Sequence, residues 1–262
     1  MTRVGCERVS LAYSTRSGPI VALRDVTMTI DDSEFVCLVG PSGCGKTSLL
    51  KILAGLIEPT NGSVRVQLSP NGDRLPRALV FQDHCVFPWM TVMDNVLFGL
   101  EFSRLSRHDK KVQATDIIAQ VGLSAFADSL PHELSVGMRQ RVALARAFVA
   151  NPQLLLMDEP FASLDAFNKR LLQEELLSMW NRHRALIVYV THDLTEAVLL
   201  GDRVLVMSGR PGSILMEVQV PLPRPRSLHD RGRQEVVDLE RQLWSVLEGE
   251  VRRDGASSRS VS

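Results

Sequence analysis

The sequence predicts an α/β protein whose mostly parallel sheet is interrupted by a helical insertion. Apolar, strand-like runs such as LLLMDEP and ALIVYVTHD alternate with amphipathic segments such as RLLQEELLSMW. This alternation is typical of a parallel sheet covered by helices on both faces. Strand signals vanish between about residues 88 and 150, where apolar residues recur at helical spacing instead. A helical segment is therefore inserted into the α/β core.

The composition indicates a globular protein without a membrane-spanning segment. Of 262 residues, 45% are hydrophobic, and 30 basic residues balance 30 acidic ones. Zero net charge argues against nucleic acid as a partner bound by bulk electrostatics. The N-terminus lacks the apolar region of a signal peptide, and the longest apolar runs are too short to cross a bilayer. Four cysteines show no CxxC spacing, which favours a reduced compartment: Cys6, Cys37, Cys44 and Cys85.

Strands dominate the first 70 or so residues. The runs CERVSLAYS, DVTMTI and SVRVQL alternate apolar and polar residues, which predicts strands with one buried face; Val26, Met28 and Ile30 share such a face. EFVCLVG and RALVFQD are more continuously apolar, as strands buried on both faces are. After EFVCLVG, leucines and isoleucines recur at helical spacing, so a helix follows that strand.

Three helices are predicted in the insertion, within TVMDNVLFGLEF, KKVQATDIIAQVGL and SVGMRQRVALARAFVANP. In the third, Ser135 is the expected N-cap and the Asn-Pro pair ends the helix. Near the C-terminus, PLPRPRS is expected to be an extended connector. A mixed-charge helix, RQEVVDLERQLWSVLEGE, follows it.

The segment GPSGCGKTS lies at the junction between a strand and a helix. Gly40, Gly45, Lys46 and Thr47 satisfy the pattern G-x-x-x-x-G-K-[ST]. Glycines let backbone N–H groups approach phosphate oxygens, and the following helix adds its free N–H groups. Lysine places a charge on the β- and γ-phosphates, and the Thr47 hydroxyl can ligate Mg²⁺. The segment is predicted to be a phosphate-binding loop (P-loop); the alternative is a glycine-rich turn with a surface lysine.

Other polar residues follow predicted buried strands. Asp158 and Glu159 end LLLMDEP, His192 ends VYVTHD, and Gln82 ends ALVFQ. In P-loop enzymes an acid at the position of Asp158 holds magnesium, and an acid at the position of Glu159 can orient or deprotonate water. Ser135 opens a helix in ELSVGMRQRVALARA, a second possible anion site. Each feature alone has a structural explanation, but ligands bind beyond the carboxyl ends of parallel strands, where these residues are expected.

With these motifs in this order, the sequence resembles an ATP-binding cassette (ABC) ATPase subunit over about residues 4 to 226. Walker A is GPSGCGKTS, the Q-loop is VFQDH, the signature is LSVGM, Walker B is LLLMDEP, the D-loop is ASLD and the switch histidine is in THD. The resemblance is finer to the nitrate, sulfonate and taurine importer ATPases, through FPWMTVMDNV and GRPGSILMEVQVPLPRPRS.

The resemblance implies a P-loop NTPase core with an N-terminal antiparallel β subdomain and an inserted helical subdomain. The ABC ATPase domain would span residues 1–226, with the helical subdomain at about 88–150, and residues 227–262 would form a helical tail. A separate C-terminal regulatory domain is not expected.

The resemblance also implies roles for matching residues. The catalytic residues would be Glu159 as base, His192, Gln82 and Lys46. Mg²⁺ would be held by Thr47, Gln82 and Asp158. ATP would contact Tyr13, stacked on adenine, and a set of loop and signature residues. These loop and signature residues are Gly40, Pro41, Ser42, Gly43, Cys44, Gly45, Lys46, Thr47, Ser48, Ser135 and Gly137. Asp165, also assigned to the nucleotide site, would lie at the interface between two copies.

The implied partners are a second copy of the chain in a head-to-tail dimer, membrane permease subunits and a periplasmic or lipid-anchored solute-binding protein. The chain would then lie peripherally on the cytoplasmic face of the inner membrane. The solute is left open among taurine, other sulfonates, nitrate and related small solutes, with organosulfonates favoured. Alternatives are a soluble ABC protein, a catalytically weak regulatory subunit and a P-loop kinase.

Three positions raise questions about the site. Val136 replaces the first glycine of the signature, which is tolerable only if the backbone there is helical. Ser33 stands where the family commonly has glycine, so we expect a slightly strained turn. Cys44 is either an inert filler or a thiol whose pKa is lowered by the surrounding amides.

Overall fold

The computed structural model describes residues 2–16, 18–69, 74–82 and 86–259, and for residues 228, 229 and 251–259 only the backbone. Cys85 lies outside these ranges. The chain divides into two compact units, one formed by residues up to 68 together with those from 186 onward, the other by residues 69–185. In the described residues the strands are β1 (Arg3–Thr15), β2 (Gly18–Ile30), β3 (Phe35–Val39), β4 (Asn61–Gln67), β5 (Arg77–Val80), β6 (Leu154–Asp158), β7 (Leu186–Val190), β8 (Arg203–Met207) and β9 (Ile214–Gln219).

The described α-helices are α1 (Lys46–Ala54), α2 (Val92–Phe98), α3 (Arg107–Gln120), α4 (Val136–Val149), α5 (Ala166–His183), α6 (Leu194–Leu200) and α7 (Gln234–Arg259). Three of the α-helices follow one another between β5 and β6, and α5 and α6 alternate with β6, β7 and β8. Short 3₁₀ turns cover Ser124–Phe126, Pro131–Glu133 and Leu228–Gly232. Among the described residues, no helix combines the length and the apolar character needed to cross a membrane.

The first unit contains an antiparallel sheet in the order β2-β1-β4. Val26, Met28 and Ile30 of β2 are buried, as their alternation predicts. A tight turn from β2 to β3 places Ser33 at φ 60°, in the left-handed region that favours glycine. The strained turn expected at Ser33 is therefore present.

The second sheet of this unit has the order β7-β3-β8-β9. β3 pairs in parallel with both β7 and β8, whereas β9 pairs antiparallel with β8. All five residues of each of β3, β7 and β8 are buried, which explains why β3 and β7 are continuous apolar runs and why only Arg203 interrupts this pattern in β8. Because β3 and β7 run in the same direction, their carboxyl ends lie at one edge of the sheet. The P-loop follows β3 there, and the loop that contains His192 follows β7.

The second unit pairs β5 in parallel with β6 and contains helices α2 to α5. The three helices predicted in the insertion are all present as α2, α3 and α4. β6 is fully buried, but three of the four residues of β5 are only half-buried. The expectation that RALVFQD is buried on both faces was therefore wrong. A cavity of about 200 Å³ lies beside β5 and is lined in part by Ala78, Leu79 and Val80.

Candidate functional site

The segment from Gly40 to Ser48 forms a tight loop between β3 and α1. Gly43 and Gly45 adopt φ values of 74° and 106°, which residues with a Cβ rarely adopt. Gly45 is also the N-cap of α1, and no side chain bonds to the helix there. The free N–H groups at the start of α1 therefore face the loop, as an anion-binding site requires.

Packing explains two of the loop glycines. A Cβ at Gly45 would lie 2.7 Å from Leu23 Cδ2 and 2.8 Å from the Ala22 carbonyl oxygen. A Cβ at Gly40 would lie 3.0 Å from Cys44 Sγ and from Met207. The loop is pressed against β2 and β8, so its shape depends on neighbours far away in the sequence.

Lys46 holds its ammonium group inside the loop. Its Nζ donates to the carbonyl oxygens of Gly40 at 2.8 Å and Pro41 at 2.9 Å, and the side chain is buried. The ammonium group thus lies among inward-facing backbone groups, which is where a phosphate needs a cation. Thr47 is exposed in the first turn of α1, so its hydroxyl is free of packing constraints and accessible to a metal. The donor set and the shape of the loop fit a nucleotide phosphate with Mg²⁺.

Tyr13 lies beside the same helix. Its side chain is 41% exposed, and its hydroxyl is 3.0 Å from the Ser48 Oγ in the first turn of α1. An exposed aromatic ring next to the P-loop helix suits stacking on a nucleobase. The structure thus places Tyr13, Ser48 and Lys46 in one neighbourhood of the first unit.

His192 follows β7 and is exposed. The residues around it are fixed by the buried carboxylate of Glu196, which accepts hydrogen bonds from the Tyr189 hydroxyl at 2.6 Å and from the Thr191 hydroxyl. The side chain of Asp193 caps α6 by accepting from the Glu196 amide at 3.1 Å. Burial and the neighbouring Glu196 raise the pKa of Tyr189 well above its ordinary value, so its hydroxyl stays a donor. This network was not found from the sequence.

Asp158 and Glu159 end β6 in the second unit. Asp158 is buried, whereas Glu159 is partly exposed and has φ 44°. A left-handed backbone at a glutamate costs free energy, and residues strained in this way cluster at functional sites. Gln82 is exposed, two residues after β5 ends.

The signature segment opens α4 in the expected way. The Ser135 Oγ accepts a hydrogen bond from the Met138 amide at 3.3 Å, so Ser135 is the N-cap. Val136 begins the helix, which shows that a helical backbone and not a positive φ is needed there. A Cβ at Gly137 would lie 3.8 Å from the Asn168 side chain, so Gly137 is close to the start of α5.

Asp165 caps the neighbouring helix α5. Its carboxylate accepts from the amides of Phe167 and Asn168, both at 3.0 Å, and from the Asn168 side chain at 2.6 Å. Two hydrogen bonds from Asn168 lower the pKa of Asp165 below its ordinary value, and the bond from the Asn168 backbone amide has the larger effect. Through Asn168, the N-termini of α4 and α5 are close together on the second unit.

Cys44 belongs to the P-loop, and its side chain is buried. Burial raises the pKa of its thiol above the ordinary value, although the Lys46 ammonium group and nearby amides act in the opposite direction. Of the two alternatives for this residue, the structure supports the inert filler and not the activated thiol.

Comparison with known proteins identifies the class. The model of the ABC transporter family matches residues 23–162. An uncharacterized ABC transporter ATP-binding protein from Methanocaldococcus jannaschii is 40% identical over 246 residues, covering 94% of this chain and 91% of the relative. The chain belongs to the ABC transporter family, and it is the subunit that binds and hydrolyses ATP.

More particular relatives and a solved structure agree with this assignment. A nitrate import ATP-binding protein from Synechocystis sp. is 44% identical over 209 residues, 79% of each chain. A bicarbonate transport ATP-binding protein from the same organism is 41% identical over 227 residues, covering 84% of this chain and 79% of the relative. The dimeric, post-hydrolysis ATP-binding cassette MJ0796, bound to ADP and Pi, has a TM-score of 0.72 and 29% identity; the match covers 84% of this chain and all of that one. The predicted fold class, an α/β ABC ATPase, is confirmed.

Proposed function

We propose that this chain energises a membrane importer for a small anion of the nitrate, bicarbonate or sulfonate type. The observation that carries the proposal is the P-loop with its buried Lys46 in a chain similar to nitrate and bicarbonate transport ATP-binding proteins. Their names extend the range of candidate solutes to bicarbonate. They do not single out organosulfonates, which the sequence alone favoured.

The proposed reaction is attack of water on the γ-phosphate of ATP. Lys46 and the loop amides bind the β- and γ-phosphates, which accumulate charge as the bond to the leaving group breaks. Glu159 orients the water and accepts its proton, and His192 contacts the γ-phosphate. Thr47, Asp158 and Gln82 would hold Mg²⁺, whose positive charge would neutralise the phosphate oxygens.

We propose that two copies assemble head to tail. The N-terminus of α4 supports this role because the first amides of a helix have no partner within the helix and can bind an anion, here the phosphates of an ATP held by the other copy; the Ser135 cap takes the Met138 amide. Asp165, fixed by Asn168, would lie at the interface between the copies. The dimeric form of the similar cassette MJ0796 supports the same arrangement.

We propose that the second unit contacts the permease subunits. Its cavity of about 200 Å³ is lined by apolar and aromatic side chains, including Phe81, Phe98 and Phe102. Phe102 is 87% exposed, and Phe81 immediately precedes Gln82. An apolar cavity with exposed aromatic rings is suited to a helix from a partner protein. The chain would then be peripheral on the cytoplasmic face of the inner membrane, in a system with a solute-binding protein.

The test is growth and uptake in the source organism carrying Lys46→Ala. The strain is supplied with nitrate or ammonium as nitrogen source, a sulfonate or sulfate as sulfur source, and low or high bicarbonate as carbon source. We expect failure on one anion only, together with loss of uptake of that labelled anion. Growth and uptake equal to those of the parent strain on all of them would refute an importer of this anion type.

A further inference from the structure

The loop of residues 208–213, between β8 and β9, lies against the P-loop. We call it the β8–β9 loop. A Cβ at Gly212 would lie 2.0 Å from the carbonyl oxygen of Cys44, so the two backbones are in direct contact. Gly212 also donates to Ala22 O at 2.9 Å, and its carbonyl accepts from the Arg24 amide at 2.9 Å. The β8–β9 loop is therefore fixed both to β2 and to the back of the P-loop.

Side chains at both ends stiffen this loop. The Ser208 Oγ accepts from the Ser213 amide at 2.9 Å and lies 3.1 Å from the Pro211 carbonyl oxygen. Glu250 of α7 accepts a hydrogen bond from the Gly209 amide at 3.1 Å. The C-terminal helix thus also anchors the β8–β9 loop.

Arg210 extends from this rigid loop onto Gly43 of the P-loop. Its Nε donates to the Gly43 carbonyl oxygen at 3.3 Å. Its Nη2 lies 3.3 Å from the position of a Cβ on Gly43. Gly43 has φ 74°, so the guanidinium group contacts one of the glycines whose left-handed backbone shapes the loop.

We propose that Arg210 is a positioning residue for the triphosphate of ATP. The Gly43 carbonyl and the Cys44 amide belong to the same peptide group, which is held at both ends: Arg210 donates to the Gly43 oxygen, and the Cys44 amide donates to the Pro41 carbonyl oxygen at 3.4 Å. The bond also holds the Gly43 peptide in its left-handed conformation before ATP arrives, which reduces the conformational cost of binding. In addition, the guanidinium charge increases the positive potential around the loop.

This role differs from that of Lys46, because Arg210 acts through the backbone of Gly43. An interaction that favours bound ATP and the transition state equally raises KM when it is lost and leaves kcat nearly unchanged. The inference rests on nucleotide binding by the P-loop. Its test must therefore separate failure of Arg210 from failure of that binding.

The experiment compares wild type, Arg210→Ala and Arg65→Ala for binding of a fluorescent ATP analogue and for steady-state ATP hydrolysis. Arg65 is the matched control, an exposed arginine in β4 paired with Glu7 at 3.7 Å. We expect Arg210→Ala to weaken binding and raise KM about three- to tenfold with kcat within about twofold, since the bond is exposed to solvent and an ordinary hydrogen bond has this order of net strength. Arg65→Ala should match wild type.

Equal affinity and KM for Arg210→Ala and wild type would overturn the inference. So would a loss of kcat without a change in KM, because that pattern belongs to a transition-state contact. A wild-type protein that does not bind the analogue would instead contradict nucleotide binding by the P-loop itself. Thermal melting of both variants shows whether the folded state is intact, and Arg210→Lys, if it restores affinity above that of the alanine variant, supports the contribution of the charge.

Discussion

Burial of one side chain decides the chemistry of Cys44. From the sequence, a thiol among inward-facing amides could have been activated, because amides and cations stabilise a thiolate. In the structure Cys44 is buried, with its Sγ close to Gly40, and desolvation outweighs the Lys46 charge. The balance between these effects depends on packing from β8, which no local pattern contains.

His183, at the end of α5, links stability to pH. Burial, followed by the charges of Arg74 and Arg182, lowers its pKa below the ordinary value of 6.5. The folded protein therefore favours neutral His183, whose ring lies 5.6 Å from that of Phe148. Below about pH 6.5 the unfolded chain takes up a proton first, so stability falls as pH decreases.

The prediction is tested by urea unfolding of wild type and His183→Gln at about pH 7.5 and about pH 5.5. Glutamine does not titrate, so the difference between the two proteins isolates the histidine. Wild type should lose more unfolding free energy between the two pH values than the variant does. Parallel losses in both proteins would show that His183 has the same pKa in the folded and unfolded states.

Close packing of α2 against α4 requires a glycine. A Cβ at Gly99, the C-cap of α2, would lie 2.3 Å from the Arg146 carbonyl oxygen and 2.8 Å from Val149 Cγ1. A backbone oxygen within a helix cannot move aside easily, so Gly99→Ala should destabilise the protein by about 1–3 kcal/mol.

Gly249 provides the matched control within another helix. It is exposed in α7, and nothing lies within 4 Å of the position of its Cβ. Gly249→Ala should therefore stabilise the protein by up to about 1 kcal/mol through helix propensity alone. Urea denaturation of both variants measures the two effects. Similar shifts of the same sign would show that α2 and α4 are not packed as closely as described.

The sequence predicted elements better than it predicted contacts between them. Ser135 as N-cap and the buried face of β2 follow from local patterns that act over a few residues. The exposure of β5 was missed because it depends on what covers the strand. The contact of Arg210 with Gly43 joins residues 167 positions apart, so no local motif could reveal it. In the sequence, the residues GRPG contributed only to the resemblance to a family, which predicted no contact for them.

At the scale of the whole molecule, the family assignment explains why this chain is built around a phosphate loop. None of its described helices could cross a membrane, and the proposed partner is a membrane permease. A catalytic site that is complete only when two subunits close would couple hydrolysis to motion of that partner. Val136 is compatible with this cycle, because the first turn of α4 is helical at that position.

The most direct test of the central claim is the rate of phosphate release from saturating Mg-ATP by wild type and Glu159→Gln. The account predicts a loss in kcat of about 10²-fold or more for the variant, as expected for a missing general base. Binding of a fluorescent ATP analogue should remain intact, because Glu159 is proposed to act on water and not on the phosphates. Turnover by Glu159→Gln close to that of wild type would contradict the proposed mechanism.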